Sequence, residues 1–578
     1  MFENVTASSP VSAAPAATGP HRNIHRVVIL GGGFAGVATA CKLTSLARRR
    51  PDIHVEVLSS ENYFVFQPLL PEVAAAGVNP NHIINPIRDL LPRAHFRWCT
   101  VEGVDAERKV VRVTQGEGRE VVEVPYDHLV FALGKISDVS SMPGVREHGL
   151  AMKDLGDAFR LRNHVLRCLE LADIATDPDE KQALLTFVVA GGGFSGVETI
   201  GELSEMLRRC LPNFPNISMS EVKLCLIHSR DTVLPEMNPA LGRAADGILR
   251  KRGVDMLMNA RVRAATRHGV HLSTGQFVPT RTLVCTIGNV ANPVVRALFD
   301  SGDFVEGKFR GRAIGVFEVG RTLQLTGRPG YWALGDNAGV PDPENPESLS
   351  PPTAQYAVSQ AKTLARNILA AIDGKPLSDF RYHNLGMLAS LGRRSAVAEV
   401  FGIRFSGFPA WLAWRAVYWA KLPGVTRKVR VMLDWLLDLV FPRDIARIQS
   451  LGDNSVRMQH YEPGEIIIRE GEIGRELFAV RDGEVEVFQP ASNGAPERVI
   501  AVLRRGEVFG EKALLQDTPR MASVRARTTV DTLVLSREDF AALVGQFEVL
   551  SDYFVQLMGE RYGASAPAST MAPVSRAA

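Results

Sequence analysis

Cysteine is scarce in this chain and never paired. Cys41, Cys99, Cys168, Cys210, Cys225 and Cys285 stand singly, with no CxxC or CxxxxC spacing. That excludes a cysteine metal knuckle and a local redox disulfide, and it suits a reducing compartment. An excess of charge is missing too: 66 basic against 63 acidic residues leave +3, too little to indicate a nucleic-acid partner. No apolar run reaches the roughly 18 residues that a membrane-spanning helix requires. Residues 1–23 are rich in Ala, Ser and Pro but lack a basic start followed by an apolar core. They read as a disordered tail, not a secretory signal, and 564–578 read likewise. What is left has ordinary composition, 46% hydrophobic and 22% charged in 578 residues. Such a length predicts about three or four domains.

What is present is a repeated glycine signature. Gly31-Gly32-Gly33-Phe34-Ala35-Gly36-Val37 recurs as Gly191-Gly192-Gly193-Phe194-Ser195-Gly196-Val197. Each copy follows an apolar β-type run, Val27–Leu30 or Phe187–Ala190, and leads into a helical pattern. That context makes it a dinucleotide fingerprint. Gly31 and Gly191 allow the tight turn, and Gly33 and Gly193 admit the pyrophosphate. Gly36 and Gly196 let helix and strand pack, with phosphates at a helix N-terminus. Two copies imply two dinucleotides with electrons passing between them.

An acid usually follows the second strand of such a unit to bond a ribose hydroxyl. After the first copy the strand His54–Leu58 ends in Ser59-Ser60-Glu61, so Glu61 is either a ribose partner or a solvated loop carboxylate. After the second copy the strand ends in His228-Ser229-Arg230, with no acid. His228 removes a repulsion toward a 2′-phosphate, and Arg230 could pair with one. NADH is therefore the expected substrate, with NADPH not strongly excluded. Three more strands end in glycine, at Gly134, Gly288 and Gly335, where backbone can pass close to a cofactor. Asp336, after the last, is a candidate for the ribityl chain of a flavin or an ordinary turn residue.

The ordered set of segments resembles the two-dinucleotide flavoprotein reductases and, within them, the type II NADH:quinone oxidoreductases. The matching pieces are Asn62-Tyr63-Phe64 through Gln67-Pro68-Leu69-Leu70, Gly191 through Glu198 with Gly201-Glu202-Leu203, Gly335-Asp336, Pro351-Pro352-Thr353-Ala354-Gln355, and Tyr382 with Leu385–Gly392. They span about 24–445. The resemblance implies FAD on the first fingerprint (Gly31, Gly33, Phe34, Ala35, Gly36, Glu61, Gly134, Gly335, Asp336, Ala354, Gln355). It implies NAD(P)H on the second (Gly191, Gly193, Phe194, Ser195, Gly196, Glu198, His228, Arg230, Gly288). Hydride would pass from nicotinamide to flavin and then reduce a membrane quinone. Glu198 matches a family carboxylate near the nicotinamide–flavin contact, with a proton-relay or supporting role; a helix-start cap is the alternative. Gln355 matches the quinone-side glutamine. Gln360 stands one residue off the spacing expected of a second one. No cysteine pair lies beside the flavin and none follows Cys285, so direct transfer from flavin to acceptor is what remains.

Residues 401–445 hold four of the six tryptophans, Trp411, Trp414, Trp419 and Trp435, in two short apolar helices separated by Pro423-Gly424. Arg427, Lys428 and Arg430 lie beside them, and Asp434 and Asp438 share one helix face. The pattern predicts a monotopic membrane anchor; a buried hairpin or a homodimer interface is the alternative.

Residues 455–563 form regular short strands with glycine turns, a small β-roll by pattern. They resemble a cyclic-nucleotide-binding domain through Phe509-Gly510-Glu511-Lys512-Ala513 and Arg520-Met521-Ala522. By that resemblance Arg520 pairs with the cyclic phosphate, Glu511 accepts a ribose hydroxyl, and backbone N–H groups around Gly510 hold the phosphate. Met521, where many cGMP readers have Thr or Ser, favours cAMP, and Lys512 departs from the usual apolar residue. A domain of this shape that serves assembly alone is the alternative.

The expected protein is α/β: two Rossmann-type dinucleotide-binding domains in 24–400, with the NAD(P)H insert at about 150–295. Amphipathic anchor helices (401–445) and the β-roll sensor follow. Its expected function is a peripheral, non-proton-pumping NAD(P)H:quinone oxidoreductase on the cytoplasmic face of a bacterial inner membrane, responsive to a cyclic nucleotide. A soluble flavin reductase for another acceptor, or a sensor with incidental turnover, are the alternatives.

Overall fold

A computed structural model describes residues 24–117, 120–139, 141–345, 347–383, 386–447, 457–472, 474, 476–491, 496–516, 519–536, 540, 553, 554, 556, 557 and 561; of Ala513, Leu515 and Gln516 only the helical backbone is included. Both expected tails, and Leu385 of the matching segment, fall outside them. The chain divides into two compact units. One comprises the residues up to Phe64, Pro86–Lys135 and Ala291–His383; the other comprises Val65–Asn85, Ile136–Val290 and everything from 384 on.

The first unit is built on a five-stranded parallel sheet. Its order is Tyr331–Ala333, His128–Phe131, His25–Leu30, Ile53–Ser59, His95–Trp98. The central strand carries Val27, Val28, Ile29 and Leu30, all at most 1% exposed. A parallel strand covered on both faces needs such an unbroken apolar run. The first fingerprint helix, Phe34–Leu46, packs on the long helix Ala354–Ile372.

The second unit repeats the plan. Strands Gly149–Ala151, Thr282–Cys285, Thr186–Ala190, Lys223–Ile227 and Val254–Leu257 form a parallel sheet in that order. The helix Phe194–Cys210 follows the second fingerprint. An antiparallel sheet of Gly386–Ser390, Ala396–Val400 and Ile403–Gly407 runs directly into helices Phe408–Lys421 and Val425–Val440. A domain boundary at 400, expected from composition, falls inside that sheet; the module starts with its first strand. Pro423 and Gly424 (φ +79°) separate the two helices, as the sequence suggests.

The C-terminal strands also belong to this second unit. They form two four-stranded antiparallel sheets. One is Arg457–Tyr461, Val530–Ser536, Glu476–Asp482, Val508–Phe509; the other is Ile466–Ile468, Ser523–Ala526, Val485–Gln489, Arg498–Leu503. Tyr461, Phe478, Val485, Phe509 and Val530 fill the space between them. This is the β-roll that the strand spacing predicts.

Candidate active site and cyclic-nucleotide pocket

Both glycine turns have the geometry of a phosphate seat. Gly31 and Gly191 have φ of +111° and +123°, which L side chains rarely adopt. A Cβ on Gly36 or Gly196 would run into the carbonyl of Gly31 or Gly191, so these glycines set how closely helix meets strand. Gly33 and Gly193 are different: a Cβ there meets nothing within 4 Å. Open space at this position is what a pyrophosphate needs. Neither helix has a side-chain cap or an acid in its first turn, so its N–H groups and positive dipole end remain available to an anion.

In the first unit, residues from three strand ends converge. Gly134 (φ +69°) faces open space, and its N–H donates to Asn337 Oδ1 at 2.9 Å while Asn337 Nδ2 donates back to its carbonyl at 2.9 Å. The Gly335 N–H donates to Gln360 Oε1 at 2.8 Å. Gln360, 2% exposed, thus supports the Gly335-Asp336 turn. Gln355, in the first turn of its helix and half-buried, accepts from Tyr382 Oη at 3.1 Å, so the two matched residues meet. Ala354 starts that helix, and Asp336 is half-buried in the Gly335–Asn337 turn. Phe34 packs edge-on against Phe64 at 4.8 Å, and Ala35 is buried toward Gly335. Glu61 is exposed in the loop after its strand, where its N–H donates to Ser59 Oγ at 3.3 Å. Asn337 escaped sequence reading because only the fold brings it to Gly134.

In the second unit, His228 lies where an acid is usual. Its Nδ1 accepts the Gly192 N–H at 3.1 Å. Burial, then Arg230, pushes its pKa down, so the ring is neutral and its proton is on Nε2. That Nε2 is buried without a partner among the described residues. Arg230 and Ser195 are exposed, and Phe194 is half-buried at the helix start. Gly288 (φ +84°) has a different reason to be glycine: a Cβ would strike the Asp138 carbonyl, and its own carbonyl accepts the Asp138 N–H at 2.7 Å. Close chain packing, not an open cofactor face, explains it.

Glu198 is buried, 8% exposed, one turn into the second fingerprint helix. Its Oε1 accepts from Ser390 N at 3.0 Å and from Trp414 Nε1 at 3.2 Å, so it is no helix cap. Burial outweighs both bonds and pushes its pKa up to about 8. One turn further, burial also raises Glu202, opposed by Arg443, whose Nη2 lies 3.3 Å from Glu202 Oε2. Glu72 accepts from Trp435 Nε1 at 2.7 Å and from Arg415 at 3.4 Å. The Arg415 guanidinium is sandwiched between Trp411 and Trp435, 4.4 Å from each ring centroid. Glu198 and Glu202 tie this C-terminal helical segment to the second fingerprint helix through Trp414 and Arg443, and Glu72 ties it to helix Leu70–Ala74 through Trp435 and Arg415.

The helices thus have two faces, and the tryptophans mark the inner one. Trp411, Trp414 and Trp435 are buried; Trp419 alone of the four is exposed. This corrects the expectation that the tryptophans mark a lipid interface. Asp434 accepts from His82 Nδ1 at 2.6 Å and Asp438 pairs with Arg209 at 3.0 Å, so both acids also point inward. The outward stripe is aliphatic: Val425, Val429, Met432, Leu433, Leu436, Leu437 and Val440. No helix of the described residues is long and apolar enough to cross a membrane.

In the C-terminal β-roll, Arg520 donates to the carbonyls of Gly510 and Glu476 at 2.7 Å each. It lines a cavity of about 380 Å³ with Phe509, Gly510, Glu511, Met521 and Ala522. This volume lies in the roughly 300–1,000 Å³ range of small-molecule sites. Met521 is 56% exposed at its mouth. Arg561, outside the expected set, also lines it and donates to Glu511 Oε1 at 3.0 Å. A lone arginine in the polar C-terminal stretch offers no local signal. The side chain of Ala513 lies outside the description.

Among the described residues, one cluster has metal-ligand chemistry: His54, Glu56 and His95, on two paired strands of the first unit. Glu56 Oε1 is already engaged by Arg97 Nε at 2.7 Å and His95 Nδ1 at 3.0 Å.

Comparison with known proteins agrees with this anatomy. A family model described as pyridine nucleotide-disulphide oxidoreductase matches residues 25–361. One described as NDH2 C-terminal domain matches 384–444, and one described as cyclic nucleotide-binding domain matches 458–547. A type II NADH:quinone oxidoreductase of Mycobacterium tuberculosis is 31% identical over 440 residues, covering 74% of this chain and 90% of that protein. A demethylphylloquinone reductase of Synechocystis is 31% identical, covering 71% and 95%. The solved structure of NDH2 from Plasmodium falciparum in complex with NADH has a similar fold, with a TM-score of 0.66 at 19% identity over 73% of this chain and 99% of that one.

Proposed function

The chain belongs to the type II NADH:quinone oxidoreductases, and from that premise we propose that it works at a membrane surface under the control of a cyclic nucleotide. It is an NADH:quinone oxidoreductase with a cyclic-nucleotide-binding domain. FAD, held by the first fingerprint with Gly134, Gly335 and Asp336, supplies the hydride and electron chemistry when bound. The open positions at Gly33, Gly193 and Gly134 suit the two dinucleotides, because a side chain would occupy each.

The chain's own residues supply position and protons. The second fingerprint seats the NADH pyrophosphate, and the neutral His228 leaves a 2′-phosphate unrepelled, which favours tolerance of NADPH. Reduction of a quinone by NADH takes up one proton. Glu198, buried and protonated at neutral pH, is suited to donate that proton. Gln355 with Tyr382 offers polar groups on the quinone side. The outward aliphatic stripe of helix Val425–Val440 lies on the lipid, with exposed Arg430 beside anionic headgroups, while Arg427 and Lys428 donate to the Asn81 and Ala420 carbonyls at 2.8 and 2.9 Å. A bacterial inner membrane, on its cytoplasmic face, is the expected location. A second copy covering the stripe in a homodimer is the other reading.

The observation that carries the membrane reading is the split between the two faces of the helices. Deleting them would expose Glu198 and confuse loss of fold with loss of anchor. Replacing Leu433, Leu436 and Leu437 with Glu spares the inner face. Half-exposed leucines contribute about 1 kcal/mol each to lipid binding, so the variant should leave vesicles while it still reduces a water-soluble quinone. Retention on vesicles would reject the reading, and a switch from dimer to monomer would favour the homodimer.

In the sensor, the Arg520–Glu511 pocket suits cAMP, the arginine for the phosphate and the glutamate for the ribose. Calorimetric titration of cAMP and cGMP against wild type and Arg520→Ala tests this. Binding of cAMP that the variant loses is expected, and binding of neither nucleotide would reject it.

A further inference from the structure

The sensor's cavity and the second fingerprint are joined by a short chain of contacts, all within the second unit. On the sensor side it starts at Glu476. The Glu476 carbonyl accepts from Arg520 Nη2 at 2.7 Å, while its carboxylate pairs with Arg457 at 2.6 Å and lies 4.0 Å from the Arg267 guanidinium. Arg267 belongs to the tip of a hairpin, Val262–Thr266 with Gly269–Leu272, in the NADH-binding domain. The rest of the tip is held as well. Thr266 Oγ1 donates to Glu465 at 2.8 Å, and His268 Nε2 lies 3.4 Å from the Ile466 carbonyl. Lower on the hairpin, Arg263 pairs with Glu462 at 3.8 Å.

A second patch flanks the hairpin. Gly144 (φ +66°) leaves no room for a Cβ between the Ala265 carbonyl and the His460 ring. The His460 N–H donates to His148 Nε2 at 3.1 Å, and burial keeps His148 neutral and able to accept. The sensor's first strand is therefore seated on the NADH-binding domain, and the hairpin tip is gripped by the residues that follow it.

The other end of the hairpin has no slack. Val262, Ala265, Val270 and Leu272 share one buried cluster with Val188 and Ala190 of the strand before the second fingerprint. Cys225 and Ile227, from the strand that ends at His228, belong to the same cluster. Packed interiors pass displacement on instead of absorbing it.

We infer that cyclic-nucleotide occupancy of the Arg520 pocket changes NADH affinity, through Glu476 and the 262–272 hairpin, and leaves the quinone step alone. This rests on the cyclic-nucleotide reading above. Binding that alters how Arg520 holds the Glu476 carbonyl shifts the start of strand Glu476–Asp482, and Arg267 is the first group of the NADH-binding domain to meet that change. Thermodynamic linkage makes the effect reciprocal: NAD⁺ must change cAMP affinity by the factor by which cAMP changes NAD⁺ affinity.

The test uses the full-length enzyme in detergent with cAMP as probe. KM for NADH should move by about fivefold or more, with KM for quinone nearly constant. Calorimetry should show equal mutual effects of cAMP and NAD⁺. Arg267→Ala and Thr266→Val should keep cAMP binding and lose both shifts. A shift confined to KM for quinone or to kcat would overturn the inference. So would cAMP binding without any NADH effect, or full shifts retained in both variants. If cAMP does not bind at all, the underlying reading of the pocket falls first and this inference falls with it.

Discussion

The two glycine fingerprints are near copies in sequence and in backbone, yet their surroundings differ at three places. Gly32 faces Ser59 and Ile87, whereas Gly192 is closed by the His228 ring and donates to it. The strand-end glycines part company too: Gly134 looks onto open space, and Gly288 onto the Asp138 backbone. Two residues past the last glycine, the first helix has Ala38 and the second has Glu198. The glycines fix a phosphate seat and nothing more. What the neighbouring strand end and the helix body contribute decides which dinucleotide sits there and what chemistry surrounds it.

The most drastic way to break the comparison is to close one seat at a time. Gly36→Val should abolish flavin content, because the side chain meets the Gly31 carbonyl; absorbance per mole of protein reports it. Gly196→Val should retain flavin and raise KM for NADH about a hundredfold or more, equivalent to roughly 2.7 kcal/mol. Equal loss of both functions in both variants would mean the seats are not independent.

Exchanging the strand-end residue is the next largest change. His228→Asp restores a carboxylate that repels a 2′-phosphate. Discrimination against NADPH, as the ratio of kcat/KM values, should rise at least tenfold, about 1.4 kcal/mol. An unchanged ratio would show that His228 does not face the ribose.

Glu198→Gln sharpens the contrast between the helices. The native carboxyl keeps its proton up to about pH 8, while the unfolded chain releases it near the ordinary carboxylate pKa. The unfolded state therefore binds fewer protons between these limits, and wild-type stability from this group falls as pH rises through that window. The glutamine variant should lose that slope, read as Tm against pH from 5 to 9. If Glu198 also supplies the reaction's proton, wild-type kcat should decline above about pH 8 and the variant should be slow and flat. Glu61→Gln is the smallest step. The exposed side chain should alter flavin retention by less than about threefold, near the few tenths of a kcal/mol of surface changes.

Local pattern made much of this legible. The fingerprints are strand–turn–helix by contiguity, and the β-roll by strand spacing. Long-range partnerships were not legible. Gln360 reaches back to Gly335, Asn337 to Gly134, and Arg561 to Glu511, each across a gap that no local periodicity spans. The tryptophans misled because an amphipathic ring suits a lipid interface and a buried carboxylate equally well; only Trp414 on Glu198 and Trp435 on Glu72 distinguish the two. The paired acids Asp434 and Asp438 carried the better signal, since a charged pair on one helix face turned inward leaves the opposite face apolar.

The central claim is that two nucleotide seats pass electrons from NADH to quinone without a cysteine pair. Anaerobic addition of NADH to the flavin-containing protein, followed by a quinone, tests it most directly. The flavin absorbance should bleach with NADH and return in full with quinone, both in the native protein and after alkylation of Cys41, the exposed cysteine. Absorbance that stays bleached until oxygen is admitted would contradict the account.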